Sequence, residues 1–205
     1  MYIIILIILA YLIGSIPNAV WIGKVFYGID VRKEGSKNAG ATNVIRVLGL
    51  KPGICVLVLD LLKGIVPLVL LPLFIERSNE YFQLYQIFVA AATVIGHVIP
   101  IFAGFRGGKG VATFVGVLIM LYPVVFPMVA GVFFGVLFLF RYVSLASICA
   151  AISLPILQFA FFQGDKFGLL FFAAQIAVFV TFMHIKNIKR LLRGEEPKFV
   201  FKKHS

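Results

Sequence analysis

Six apolar stretches, each close to or longer than a bilayer crossing, make up most of this chain. They run over about 1–25, 53–75, 81–103, 111–140, 144–162 and 167–183, and short charged or glycine-rich breaks separate them. A helix needs about 20 apolar residues to cross about 30 Å of hydrocarbon. Because 61% of the residues are hydrophobic and 13% are charged, the chain cannot cover a water-facing surface in the usual way. We therefore expect an all-α integral membrane protein with a single transmembrane domain over residues 1–205.

The stretch 111–140 is too long for one ordinary crossing. Divided in two, it would give helices that each rise only about 22 Å. We expect a turn at Tyr122 and Pro123 between two short or tilted helices.

Lysines and arginines cluster in the breaks, and their distribution predicts the orientation of the helices. The positive-inside bias places such clusters in the cytoplasm. All these clusters lie on the cytoplasmic side only if the stretch 111–140 crosses the membrane twice, outward and back. This gives about seven transmembrane helices, with the N-terminus outside and the C-terminus cytoplasmic, and leaves Arg77 and Lys166 for the external loops. The cytoplasmic bases are then Lys24, Arg32, Lys33, Lys37, Arg46, Lys51, Arg106, Lys109, Arg141, Lys186, Lys189, Arg190, Arg193, Lys198, Lys202 and Lys203.

The first basic break contains the sequence GSKNAGATN, from Gly35 to Asn43, and Arg46 follows it. Glycine allows a ligand to approach the backbone closely, and short polar side chains such as Ser36 and Asn38 offer hydrogen bonds. A guanidinium can hold a phosphate with two hydrogen bonds. The pattern therefore fits an anion site, but it equally fits an interfacial helix that Ser36 caps.

A second break reads GFRGGKGVAT, from Gly104 to Thr113, just before another apolar stretch. Free backbone amides of glycines at a helix N-terminus favour phosphate binding. The alternative is a flexible reversal whose two bases extend to the interface. The spacing is not that of a Walker A loop, because Ala103 and Gly110 occupy positions where that motif requires glycine and a hydroxyl residue.

Several polar residues lie within or at the ends of the apolar stretches. Asp60 and Lys63 are three apart, so we expect them to share a helix face and to pair or line a polar cavity, with contact to an anionic substrate as a second role for Lys63. His97 lies one turn before the glycine-rich break, and His184 and Asn187 end the last stretch. Histidines at such a boundary fit either packing or function.

Charge and composition also narrow the partners. A formal charge of +11 in a chain this apolar indicates anionic lipid or substrate rather than nucleic acid. The eight acidic residues show no spacing with histidine that suits zinc, and the positive field opposes a divalent cation, so we expect no metal.

Five segments together closely resemble the bacterial acyl-phosphate:glycerol-3-phosphate acyltransferases, membrane enzymes that make lysophosphatidate at the start of phospholipid synthesis. The resemblance extends nearly end to end. The segments are GSKNAGATNVIRVLG (35–49), DLLKG (60–64), GHVIPIFAGFRGGKGVAT (96–113), RYVSLASI (141–148) and HIKNIKRLLRGEEPK (184–198).

The resemblance implies transfer of a fatty acyl group from acyl phosphate to the 1-hydroxyl of glycerol 3-phosphate, which gives 1-acyl-glycerol 3-phosphate and inorganic phosphate. It implies no cofactor, with acyl phosphate, glycerol 3-phosphate and membrane lipid as partners. It also implies a multi-pass enzyme of the bacterial inner membrane whose active site faces the cytoplasm. It also implies three cytoplasmic motifs. Ser36 and Arg46 are important in the first, and the third contains His184, Asn187 and Glu196. In the second, acyl phosphate is bound by Gly104, Gly107, Gly108 and Gly110.

An acyl phosphate is already an activated anhydride, so we expect positioning and charge stabilisation to carry catalysis. His184 or a substrate phosphate would accept the hydroxyl proton. The alternative function is an anion transporter or channel, in which Asp60 and Lys63 would mark a pathway. The expected catalytic residues lie around glycerol 3-phosphate: Ser36, Arg46, His184 and Asn187. Arg106 and Lys109 are expected to bind acyl phosphate together with the glycines. The other expected substrate-binding residues are Asn38, Asn43, Lys63, Ser144 and Glu196.

Overall fold

The computed structural model of the chain describes residues 2–161 and 167–199. Lys166, Lys202 and Lys203, which belong to the predicted charge distribution, lie outside the described residues. Within the described residues the regular structure is helical, as expected. The helices are α1 Tyr2–Gly14, α2 Asn18–Tyr27, α3 Ala41–Leu48, α4 Leu50–Leu70, α5 Phe82–Val98, α6 Val111–Leu121, α7 Phe126–Phe140, α8 Val143–Phe161, α9 Phe167–Met183 and α10 Ile185–Leu192, with single 3-10 turns at Leu71–Leu73 and Ile101–Ala103.

Four stretches among the described residues are long and apolar enough to cross a membrane: Tyr2–Tyr27, Leu50–Leu73, Phe82–Ala103 and Val143–Phe161. The pair α9 and α10 bends by 59° and would make a fifth span if counted as one. The apolar helices α6 and α7 are shorter. Many large exposed side chains of the helices are apolar, for example Phe138, which is 85% exposed. Such surfaces match hydrocarbon, in which helices satisfy their own backbone groups.

The predicted turn at Tyr122 and Pro123 is confirmed. Helix α6 ends at Leu121 and α7 begins at Phe126. Proline has no backbone N–H to donate, which favours a break in the helix here. The apolar stretch 111–140 is therefore two helices.

The described residues divide into two compact units between Leu121 and Tyr122. In the first unit, α1 packs against α5, and α4 packs against α6. Glycines permit the close approach: a Cβ on Gly14 would meet the Thr93 carbonyl oxygen, and one on Gly64 would meet the Thr113 carbonyl oxygen. Small residues of this kind let helix backbones meet in membranes. These contacts fix α4, α5 and α6, which carry the polar residues described below.

In the second unit, α8 packs against both α7 and α9, and the short helix α10 contacts α8 and α9. Leu154 of α8 and Ala173 of α9 are fully buried between them. The Tyr122 hydroxyl donates a hydrogen bond to the Leu169 carbonyl oxygen at 2.8 Å. These contacts hold α8, α9 and α10 together in the second unit.

Candidate active site

Asn43 fixes the shape of the first basic loop. Its side chain is buried at the start of α3, where Oδ1 accepts a hydrogen bond from the Ser36 backbone N–H at 2.8 Å. Its Nδ2 donates to the carbonyl oxygens of Val31 at 2.8 Å and Glu34 at 3.1 Å. Asn43 thus holds the loop that presents Ser36, and its direct contact with a substrate stays a prediction.

The alternative in which Ser36 caps the interfacial helix is wrong. Helix α3 begins at Ala41, and Gly40, which has no side chain, stands at its N-cap. Ser36 lies five residues before the helix, half-buried in the loop. Arg46 lies on α3 and is exposed. The loop residues that the sequence singled out are therefore available for a role other than capping.

Arg32 ties this loop to the segment before the glycine-rich break. Nε and Nη2 of Arg32 donate to the Asp30 carboxylate at 3.0 and 2.8 Å, and Nη1 donates to the Ala103 carbonyl oxygen at 2.8 Å. The hydrogen bond from Arg32 holds the pKa of Asp30 well below its usual range, although partial burial opposes this shift. Asp30 correspondingly raises the pKa of Arg32. Arg32 thus brings the first loop and the glycine-rich break together, a role that the sequence reasoning missed.

The sequence predicted a strip of free backbone amides in the glycine-rich break. For Gly107 and Gly108 this prediction is wrong. The Gly107 N–H donates to the Val98 carbonyl oxygen at 3.2 Å, and the Gly108 N–H donates to the His97 carbonyl oxygen at 3.3 Å. A Cβ on Gly108 would meet the His97 ring at Nε2 and lie 2.9 Å from the Ala39 carbonyl oxygen. These two glycines therefore fasten the loop to the end of α5.

The amides that can face a ligand lie one step later, at the start of α6. The Phe114 N–H makes the first bond of the helix, to the Gly110 carbonyl oxygen at 2.8 Å. The three N–H groups before it, in 111–113, have no partner within their own helix, as at any helix N-terminus. The positive end of the helix dipole adds to this preference for an anion. Gly104 and Gly110 take positive φ angles of 62° and 82°, which glycine adopts readily.

A polar network lies beneath this loop. Oδ1 of Asp60 accepts hydrogen bonds from Lys63 Nζ at 2.8 Å and from Asn18 Nδ2 at 3.0 Å, and Nδ1 of His97 lies 3.8 Å from the same oxygen. The expected pairing of Asp60 with Lys63 is confirmed. All three ionisable side chains are buried. A very small cleft of about 10 Å³ lies between this network, Ala39 of the first loop, and Gly107 and Gly108.

The sequence reasoning gave Asn18 no role, although an amide immediately after Pro17 inside an apolar stretch is itself a signal. Polar side chains are costly in hydrocarbon and are usually partnered there. The partner, Asp60, is 42 positions away. A one-dimensional pattern does not reveal such a pairing.

In the second unit, three donors surround the Glu196 carboxylate. Oε1 accepts from Ser144 Oγ at 2.7 Å and from Asn187 Nδ2 at 2.6 Å, and Oε2 accepts from Arg190 Nε at 2.7 Å. Burial alone would raise the pKa of Glu196, but these hydrogen bonds outweigh it and hold the pKa below its ordinary value. The adjacent Glu195 is exposed.

The predicted residues Ser144, Asn187 and Glu196 thus come together. The sequence reasoning missed Arg190 as a member of this group. It lies three residues after Asn187 and therefore on the same face of α10.

His184 stands at the bend between α9 and α10, buried in the second unit. Its Nδ1 lies 2.8 Å from the Val180 carbonyl oxygen. A carbonyl oxygen only accepts, so Nδ1 carries the hydrogen in this contact, and Nε2 is the nitrogen that can accept a proton. The geometry is compatible with His184 as a base or as a hydrogen-bonding group.

The remaining predicted residues differ in exposure. Gly104 and Arg106 are exposed, while Asn38 and Lys109 are half-buried. Thus the bases of the two loops lie at the surface of the first unit, whereas Lys63 lies inside it, paired with Asp60. Among the described residues, no group of three or more His, Cys, Asp or Glu side chains could hold a metal ion.

Comparison with known proteins agrees with the sequence motifs. The family described as "Glycerol-3-phosphate acyltransferase" matches residues 4–194. Glycerol-3-phosphate acyltransferases of Fusobacterium nucleatum and Listeria monocytogenes are 46% and 47% identical to this chain; each match covers 95% of this chain, and 97% and 96% of the respective relatives.

Two solved structures of PlsY, an integral membrane glycerol 3-phosphate acyltransferase, share the fold. They are described as its glycerol 3-phosphate form and its lysophosphatidic acid form. Their TM-scores are 0.87 and 0.84, with 40% and 39% sequence identity. Both matches cover 98% of this chain, and they cover 96% and 97% of the respective solved chains. This chain is a membrane acyltransferase that belongs to the glycerol-3-phosphate acyltransferase family.

Proposed function

We propose that this enzyme transfers a fatty acyl group from acyl phosphate to the 1-hydroxyl of glycerol 3-phosphate. The products are lysophosphatidate and inorganic phosphate, in phospholipid biosynthesis. The observation that carries the proposal is that two loops suited to anion binding, 35–46 and 104–113, belong to one compact unit. Arg32, shortly before the first loop, donates a hydrogen bond to Ala103, just before the second. The solved relatives described as glycerol 3-phosphate and lysophosphatidic acid forms support the acceptor and the product.

The glycine-rich loop is the proposed site for the acyl phosphate head group. The first amides of α6 supply donors, and Arg106 and Lys109 supply positive charge beside them. The acyl chain would lie along apolar helix surface. Gly104, Gly107, Gly108 and Gly110 shape the loop, and contact with the substrate is a proposed second role of Lys63, whose charge Asp60 balances.

Glycerol 3-phosphate is the proposed ligand of the first loop. The exposed guanidinium of Arg46 can hold its phosphate with two hydrogen bonds, and Ser36 is kept in place by Asn43. Asn38 lies in the same loop. In the second unit, His184 and Asn187 are the proposed catalytic residues; Glu196 keeps Asn187 oriented, and Ser144 in turn holds Glu196.

The reaction needs no covalent enzyme intermediate. The 1-hydroxyl oxygen attacks the acyl carbonyl carbon, the carbon–oxygen bond of the anhydride breaks, and inorganic phosphate leaves. The hydroxyl proton passes to Nε2 of His184 or to a substrate phosphate. Because the anhydride is already activated, the protein contributes mainly position and charge stabilisation.

We further propose a single domain over residues 1–205 with seven spans, the N-terminus outside and the C-terminus and active site facing the cytoplasm of the bacterial inner membrane. The distribution of bases supports this orientation. Single cysteines at Lys33 and Lys198, in a chain with Cys55 and Cys149 replaced by alanine, should react with an impermeant maleimide only from the cytoplasmic side. A cysteine at Arg77 should react from the outside. Labelling of Lys33 and Arg77 positions from the same side would contradict the orientation.

The decisive assay uses the purified protein in lipid nanodiscs with acyl phosphate and labelled glycerol 3-phosphate. We expect lysophosphatidate and inorganic phosphate in equal amounts. Parallel reactions contain acyl-CoA or acyl carrier protein thioester. Product from a thioester but none from acyl phosphate would overturn the proposed donor, and uptake of glycerol 3-phosphate into proteoliposomes without any acylation would instead support a transporter.

A further inference from the structure

The polar network of Asn18, Asp60, Lys63 and His97 has a cost that packing alone does not explain. It joins α2, α4 and α5; Asp60, Lys63 and His97 are buried, and Asn18 is half-buried. Replacing a buried ion pair with apolar residues of similar volume is often neutral or stabilising. In the membrane, ionisable side chains are expensive and usually functional. The network therefore calls for a role other than stability.

His97 connects the network to the glycine-rich loop in two ways. Its carbonyl oxygen accepts the Gly108 N–H at 3.3 Å, and its ring Nε2 occupies the space that a Cβ on Gly108 would need. The other ring nitrogen, Nδ1, lies 3.8 Å from Asp60 Oδ1. This Nδ1 is buried and has no hydrogen-bond partner among the described residues. The Asp60 carboxylate is thus the charged group that faces it.

We propose that His97 is a positioning residue: Asp60 orients its ring, and the ring supports the glycine-rich loop at Gly108. Lys63 and Asn18 in turn hold the carboxylate of Asp60 through two hydrogen bonds to one oxygen. His97 does not touch the reacting atoms in this arrangement. Its consequence is the position of the loop that receives acyl phosphate, so this inference rests on the proposed function.

The first test measures the loop itself, without catalysis. Hydrogen exchange of the Gly107 and Gly108 amides is followed by mass spectrometry in the full chain in nanodiscs. His97→Asn keeps a donor on the Asp60 side and removes the ring edge at Gly108, so we expect exchange to become about tenfold faster. Thr93→Val is the matched control, because Thr93 is also buried on α5 and bonds to the Val89 carbonyl oxygen. Unchanged exchange in His97→Asn, or an equal increase in Thr93→Val, would overturn the proposal.

A second test asks whether His97 and Gly108 act as one contact. Gly108→Ala alone should clash with the ring, whereas in the His97→Asn background the ring edge is gone and the methyl group has space. We expect the double variant to bind acyl phosphate about fivefold better than the two single effects predict. The recovery is partial because the Ala39 carbonyl oxygen remains 2.9 Å from the added Cβ. Strictly additive single effects would contradict the contact.

The steady-state constants separate this inference from the proposed function. His97→Asn should raise the KM for acyl phosphate about tenfold while the KM for glycerol 3-phosphate changes less than about twofold. If His97→Asn does not fold, the pair Asp60→Asn/Lys63→Met removes both buried charges together and should speed exchange of the same amides. If the wild type does not use acyl phosphate, the proposed function fails and the exchange experiments still test the contact. If it does, and neither variant alters loop exchange or the acyl phosphate KM, the positioning role is wrong.

Discussion

The two compact units hold their buried carboxylates in different surroundings. In the first unit, Asp60 lies within α4, and its principal partner, Lys63, is on the same helix one turn away. In the second unit, Glu196 follows the last helix and collects donors from α8 and α10. The first arrangement neutralises a cation inside a candidate span. The second gathers separate segments around one acid near the end of a helix.

This difference predicts different penalties when the acid is lost. Without Asp60, Lys63 remains as an unpaired charge inside the span, which is among the most expensive situations in a membrane protein. Without the charge of Glu196, its partners are uncharged groups and an arginine that is about one-third exposed and can turn toward water. The first unit should therefore tolerate loss of its acid much less than the second.

Asp60→Asn should give the largest effect. We expect a loss of about 3–5 kcal/mol in the free energy of unfolding, because the substitution leaves Lys63 buried and uncompensated. Thermal unfolding of the purified protein in detergent measures it. Asp60→Asn/Lys63→Met is the control, and it should recover most of the loss. A double variant as unstable as the single one would show that the pair does not act as a neutral unit.

The next largest effect is on activity, and it also separates the units. Arg46→Ala should lower kcat/KM about a hundredfold or more, because its guanidinium is the proposed grip on the glycerol 3-phosphate, while stability stays near wild type because Arg46 is exposed. His184→Ala should be less active than wild type, and His184→Gln, which still forms hydrogen bonds, should recover part of the rate.

The pH–rate profile decides between a grip and a base in the second unit. The wild-type rate should fall at acid pH in the range where imidazole titrates if His184 is the base. If His184→Gln is as inactive as His184→Ala and lacks this fall in rate, His184 is the base. A substantial rate with the fall unchanged would indicate that a substrate phosphate accepts the proton.

Glu196→Gln should cost less than Asp60→Asn, about 2 kcal/mol in the free energy of unfolding, since glutamine keeps one acceptor but loses the charge-assisted bond from Arg190. Thermal unfolding again measures it. The matched control is Glu195→Gln, at the exposed neighbour, which should be close to neutral. If the loss equals that of Asp60→Asn, the comparison between the two units fails.

The smallest effect concerns acid pH. The pKa of Asp30 and that of Glu196 are both lowered in the folded protein. Each carboxylate therefore contributes stability that is fully present above its unfolded pKa, about 4, and is lost as the pH falls through the lowered value. We expect stability to be insensitive to these groups between pH 8 and about 5 and to fall below about pH 4. Asp30→Asn should reduce this acid-dependent loss by about 1 kcal/mol, as for a partly exposed pair.

Much of the local structure was predictable from sequence, because it follows from neighbours along the chain. The three-residue spacing predicted the Asp60 and Lys63 pair, and Pro123 predicted the break between α6 and α7. The backbone partners of Gly107 and Gly108 were not predictable, since they depend on where the end of α5 lies. The same reason hid the contact of Arg32 with Ala103, which spans 71 positions.

The fastening of Gly107 and Gly108 to the end of α5 bears on how donors and inhibitors can be selected. Ordering a loop on binding reduces affinity, and a loop already held by its own backbone avoids that loss. A small tetrahedral head group should then enter with little entropic penalty. A bulkier mimic of phosphate would have to break the bonds to the Val98 and His97 carbonyl oxygens before it fits. Head-group size, more than head-group charge, should therefore set the limit for competitive ligands at this loop.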